Sequence, residues 1–194
     1  MIQVFSNSYP FFYKYLLGFL LSQLMGSWMP THSQSKYQFR HLDLQDGLLD
    51  NTVFSILQDQ EGFLWFGTGS GLQRYDGYEF VNFKYDPKKN EQGLQNNMIR
   101  HLMEASDGTI WIGTEGGGVA RYKDGKLLAP LLQDKDGLSS NSVETIIEDS
   151  LGGIWIGTSQ GLDYLYEDKI IHFKNDPENK NTISDNRVFS LLID

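Results

Sequence analysis

One short stretch recurs three times in this chain, and the recurrence limits the fold more than any other feature. Phe63–Tyr75 reads FLWFGTGSGLQRY; it returns as TIWIGTEGGGVARY at Thr109–Tyr122, one residue longer, and as GIWIGTSQGLDY at Gly153–Tyr164. Trp65, Trp111 and Trp155 stand 46 and 44 residues apart, and Gly67, Gly113 and Gly157 follow at the same spacing. Self-similarity at this period marks repeat architecture, and four-stranded propeller blades in particular.

The rest of each unit keeps the register. Asn51, Asn97, Asn141 and Asn186 fall 46, 44 and 45 residues apart. In the first unit the pattern predicts strands over Val53–Asp59, Phe63–Thr68, Leu72–Tyr75 and Tyr78–Phe83, with turns at Asp59–Gly62, Gly69–Gly71 and Asp76-Gly77; Asp-Gly is a strong hairpin signal. Four short antiparallel strands make one blade. Along the Trp strand, side chains alternate between faces. Ile110, Ile112 and Thr114 point one way, and Thr109, Trp111 and Gly113 the other. Both faces are largely apolar, so the strand needs cover on both sides. The glycine leaves room beside the Trp for a neighbouring blade. A Trp that serves as a ligand platform is the competing reading, but three copies in one register favour core packing.

The expected fold is therefore all-β: a partial β-propeller of four-stranded antiparallel blades, after an N-terminal signal peptide. The repeats run over about 46–90, 91–135 and 136–180, with a fourth begun over 181–194. The leader is read over residues 1–33. A single charge, Lys14, precedes the apolar run Leu16–Trp28, which is short for a membrane span, and Thr31 and Ser33 offer a small-residue cut before Gln34. An uncleaved anchor or a buried helix is the alternative. Residues 34–194 then form an incomplete propeller whose open blade faces predict association. The missing edge reads as that of a fragment or a truncated gene.

Composition narrows function mainly by exclusion. The net charge is -9, with 25 acids against 16 bases, which opposes nucleic acid and anionic membrane as partners. No cysteine is present, so disulfides, thiol catalysis and cysteine zinc sites are excluded. The glycines at Gly67–Gly71 and Gly113–Gly118 precede a strand and lack the Lys of a phosphate loop. Asp134-Lys135-Asp136-Gly137 lacks the further ligands of a calcium hand and reads as a turn. No metal and no cofactor is expected.

The recurring string, N-x-V-x-x-I-x-x-D-x-x-G-x-[IL]-W-[IF]-G-T-x-x-G-[LV], resembles the two-component regulator propeller repeat. It runs over Asn51–Leu72, Asn97–Val119 and Asn141–Leu162. Ala105 replaces the Asp of the second copy, and Gly118-Val119 follows one extra residue there. The opening QFRHLDLQDGLLDNTV is similar to the start of the mature sensor region in that family. The resemblance implies a periplasmic sensor region of a hybrid two-component system, continued by further blades, a membrane helix and a cytoplasmic histidine kinase. It implies an oligosaccharide ligand and control of polysaccharide-utilisation genes, with a homodimer as one form of assembly. The segment itself is then no enzyme. A propeller lyase or glycosidase and a protein-interaction scaffold are the alternatives.

For ligand contact, four residues stand out. His101 occupies a register held by Ser55, Thr145 and Ser190 in the other copies. Arg74 and Arg121 precede the repeated Tyr75 and Tyr122, and Asp163 precedes Tyr164. The tyrosines read as structural, and the varying neighbours as specificity residues that hold sugar hydroxyls. No catalytic constellation is expected among His32, His41, His101 and His172.

Overall fold

In the computed structural model, residues 39–88 and 92–193 are described. The expected signal peptide, residues 1–33, lies outside them. The compact unit that begins at His41 carries three sheets of four antiparallel strands. Blade 1 contains β1 (Val53–Gln58), β2 (Leu64–Thr68), β3 (Gly71–Tyr75) and β4 (Phe80–Phe83). Blade 2 contains β5 (Ile99–Glu104), β6 (Ile110–Thr114), β7 (Val119–Lys123) and β8 (Lys126–Leu127). Blade 3 contains β9 (Val143–Glu148), β10 (Ile154–Thr158), β11 (Gly161–Tyr166) and β12 (Lys169–Phe173). Each sheet keeps its sequence order, and β5 lies against both β1 and β9. The first strands thus meet along one inner edge, as in a propeller.

The strands form where β-branched and aromatic residues alternate, and each turn has its own chemistry. At the first hairpin of every blade, Gly62, Gly108 and Gly152 adopt φ of 92°, 80° and 81°, backbone that a side chain resists. The Asp134–Gly137 stretch differs slightly from its expected turn. It is one helical turn, α1 (Gln133–Asp136), closed by Gly137 at φ 81°.

Packing between blades uses one joint, made repeatedly. A Cβ on Gly67 would meet Ile99 Cγ2 at 2.8 Å, and one on Gly113 would meet Val143 Cγ1 at 2.9 Å. On Gly157 it would meet Val188 Cγ1 at 2.9 Å. The first β-branched residue of the next unit therefore seats on the glycine of the Trp strand. The Asn of each unit staples the same joint. Asn97, Asn141 and Asn186 accept from the N–H groups of Tyr85, Gln133 and Asn175 at 2.8, 2.7 and 2.8 Å. The start of the fourth unit is held this way too. The Val188 N–H donates to the Thr158 carbonyl at 3.0 Å, although residues 181–193 form no strand.

The core lies between the blades. One cluster joins Trp65 and Leu72 of blade 1 to Ile99, Ile112 and Tyr122 of blade 2; a second joins Trp111 and Val119 to Val143, Ile146 and Ile156. Trp65 is 1% exposed and Trp111 7%, so these two serve as core, whereas the third copy, Trp155, is only half-buried and packs against Tyr164 and Phe173. Burying an aromatic of this size is worth roughly 3–5 kcal/mol against alanine.

Candidate functional site

The four residues singled out for ligand contact occupy four separate environments. His101 sits on the inner strand β5. Its Nδ1 accepts the Ile146 N–H of blade 3 at 3.2 Å. One blade earlier, Ser55 Oγ accepts the Leu102 N–H at 3.1 Å. The imidazole thus does the work of the hydroxyl, as an acceptor between blades, and burial holds its pKa below the usual 6.5.

Asp163 is not the counterpart of Arg74 and Arg121. In β10 and β11, Trp155 faces Tyr164 and Ile156 faces Asp163. In blades 1 and 2 the Trp faces Arg74 and Arg121. Hairpin length sets this register, and it makes Leu165, not Tyr164, the match of Tyr75 and Tyr122. Tyr164 takes the arginine position, its ring lying where a Cβ on Gly153 would fall. Asp163 matches Gln73, and both are 0% exposed. Gln73 Oε1 accepts the Leu49 N–H at 2.7 Å. Asp163 Oδ2 accepts the Ser139 N–H at 2.7 Å, and Oδ1 accepts the Ser139 hydroxyl at 2.5 Å and approaches His172 Nδ1 at 2.8 Å. Both residues bracket the approach to their blade's first strand.

The Ser139, His172 and Asp163 group, which the sequence reading did not single out, is no nucleophilic triad. The serine proton goes to the carboxylate, and the same His172 Nδ1 faces both partners, leaving no base for Ser139, which is 5% exposed.

Arg121 donates to the Ala129 carbonyl at 3.1 Å and lies 5.7 Å from the Trp111 ring centroid. Its Nε and the Trp111 Nε1 are buried without partners. Trp65 and Trp155 both donate to an aspartate, Asp59 at 2.7 Å and Asp149 at 3.0 Å. Ala105 removes that acceptor in blade 2.

Arg74 alone borders a sizeable opening. Its guanidinium stacks over Phe63 at 4.4 Å and donates to the Tyr122 hydroxyl of blade 2 at 3.2 Å. Tyr122 in turn meets the Trp65 ring edge-on, centroids 4.9 Å apart. Arg74, Tyr122 and Trp65 border a cleft of about 370 Å³ between blades 1 and 2, rimmed by Glu61, Lys123 and Asp124. Three acids of the cleft are already engaged. Asp59 holds the Trp65 indole and Glu104 holds the Gln60 N–H at 3.0 Å. Lys123 pairs with Asp107 and holds its carboxyl down to about 2. Among the described residues, no group of acids and histidines is arranged to hold a metal ion.

Comparison with known proteins finds this sequence pattern and this geometry elsewhere. The two-component regulator propeller pattern matches residues 47–70, 93–116 and 137–160. The extracellular domain of a hybrid two-component system from B. thetaiotaomicron is 25% identical at a TM-score of 0.69, over 78% of this chain and 22% of that domain. A second such domain from the same organism shares the fold, at 24% identity and a TM-score of 0.60, over 74% of this chain and 19% of that one. Histidine kinase P4 of Formosa agariphila is 37% identical over 54 residues, 28% of this chain and 4% of the kinase. The chain thus spans about a fifth of the domains it resembles and a far smaller share of the kinase. Each of its three sheets carries one match to the two-component regulator propeller repeat.

Proposed function

We propose that this chain is the ligand-sensing propeller segment of a hybrid two-component sensor, detecting an oligosaccharide in the periplasm and controlling polysaccharide-utilisation genes. The observation that carries the reading is the match of all three blades to the regulator repeat, together with the likeness to an extracellular sensor domain. On this reading the partners are further blades and a histidine kinase portion, and a homodimer is the form that signals. The segment binds and releases its ligand unchanged; the kinase performs the chemistry.

The gene itself supplies the test. A strain lacking it is compared with its parent during growth on single purified polysaccharides, by transcript profiling. The reading expects one polysaccharide whose utilisation genes are induced in the parent and silent in the deletion strain. Unaltered induction on every polysaccharide would overturn it.

A further inference from the structure

The repeat acts as an internal control, because the two blade-to-blade clefts are built from the same positions and differ in chemistry. Between blades 2 and 3 the positions of Asp59, Phe63 and Tyr122 are held by Ala105, Thr109 and Leu165, and Ala105 and Leu165 pack with Ile154 in one apolar cluster. Between blades 1 and 2 the same positions leave an open, polar cleft of about 370 Å³, within the usual range of small-molecule sites, about 300–1,000 Å³. Blade-to-blade packing does not require that polarity.

We infer that this cleft is the ligand site of the segment, and that it takes a neutral polyhydroxylated group, one sugar unit of a glycan. The inference rests on the sensor reading above and adds the place and the recognition chemistry.

The charges select the class. Among the described residues, the Glu61 and Asp124 carboxylates meet no donor or cation, while Arg74 keeps four of its five N–H groups free beyond its bond to Tyr122. The Tyr122 hydroxyl accepts from Arg74 and retains its own proton to give. The lining sets the carboxylates of Asp59, Glu61, Glu104, Asp107 and Asp124 against an anionic ligand, while Arg74 and Lys123 oppose a cationic one. Hydroxyl groups donate and accept, and satisfy both sides together. The Arg74 guanidinium carbon lies over the Phe63 ring, 4.4 Å from its centroid, and this contact with the bond to Tyr122 positions the donor fork before a ligand arrives. Tyr122 belongs to blade 2 and Arg74 to blade 1. A hydroxyl that bonds both therefore replaces a contact that joins the blades, so occupancy changes how they pack.

The test uses the full chain labelled with nitrogen-15, titrated with neutral malto-, fructo-, xylo- and manno-oligosaccharides. Indole and arginine N–H signals are followed by NMR. The expected result is a saturable shift of the Trp65 indole and Arg74 Nε–H signals, with the Trp155 indole unmoved. The double variant Glu61→Gln, Asp124→Asn should weaken that binding tenfold or more while its spectrum stays folded. Saturable shifts elsewhere, or an unchanged affinity in the double variant, would overturn the cleft and leave the sensor reading intact. Preference for oligogalacturonate or chitosan oligomers would overturn the neutral class. No shift with any sugar, in a chain whose gene controls a polysaccharide response, would overturn the cleft alone; no shift and no gene response would overturn both.

Discussion

Ala105 stands where Asp59 and Asp149 stand in the flanking blades, and it leaves the Trp111 indole N–H buried without an acceptor. The carboxylate removed from blade 2 is the one that fixes the Trp in blades 1 and 3. The β5–β6 turn survives because the Thr109 N–H turns to Asp107 instead, at 2.9 Å.

Ala105→Asp should therefore stabilise the chain, by about 1 kcal/mol for one recovered hydrogen bond. The midpoint of urea unfolding should rise, with the Trp111 indole resonance moving downfield. The reverse change, Asp59→Ala, strips the Trp65 indole and the Phe63 N–H together and should cost about 1–3 kcal/mol. Equal midpoints for parent and Ala105→Asp would show that the orphaned N–H carries no penalty.

Gly113→Ala should cost about 1–3 kcal/mol through overpacking, because the added carbon falls 2.9 Å from Val143 Cγ1. Val143→Ala in the same chain should recover part of the loss. A double-mutant cycle with no coupling between the two would place the clash elsewhere.

The His101 contact makes stability depend on pH. Nδ1 accepts from Ile146 only when unprotonated, and burial lowers the folded pKa below 6.5. The unfolded chain thus binds the proton first, so this contribution is complete above 6.5 and is lost as pH falls through the folded value. Urea midpoints of the parent should drop between pH 7.5 and 5.5, and His101→Ser, with the hydroxyl of the other blades, should flatten that slope. A parallel slope in the variant would assign the titration to another group.

Asp163→Ala should be among the costliest single changes away from the inter-blade core. It leaves the Ser139 N–H and hydroxyl and His172 without their shared acceptor, in a site where Asp163 is 0% exposed. Unsatisfied groups of this kind cost about 1–3 kcal/mol each. Asp163→Asn keeps one oxygen and should lose less; thermal unfolding that ranks the two the other way would refute the bracket.

The strands were legible because alternation and turn residues report them directly. So was the burial of Trp65 and Trp111, while Trp155, at the same register, stays half-buried. Aligning Tyr164 with Tyr75 and Tyr122 shifts the third hairpin by one residue from its actual register. Counting from the Trp would have corrected it, since Leu165 lies ten residues after Trp155, as Tyr75 does after Trp65. The work of His101 and Asp163 was hidden for a different reason. Both act on the backbone of a neighbouring segment, at Ile146 and Ser139, and sequence spacing does not show which segment a side chain reaches. The inter-blade cleft escaped for the same reason, since Arg74 and Tyr122 lie 48 positions apart.

The seat of Ile99 on Gly67 and of Val143 on Gly113 has an evolutionary reading. Every joint is cut to one pattern, so a whole unit can be copied or lost without re-fitting its neighbours. Excising residues 97–140, from one repeat Asn to the next, would bring Val143 against Gly67 and restore the same knob and hollow. A propeller assembled this way lengthens by duplication of a single coding block, and each new copy is free to drift in its clefts while its joints stay fixed.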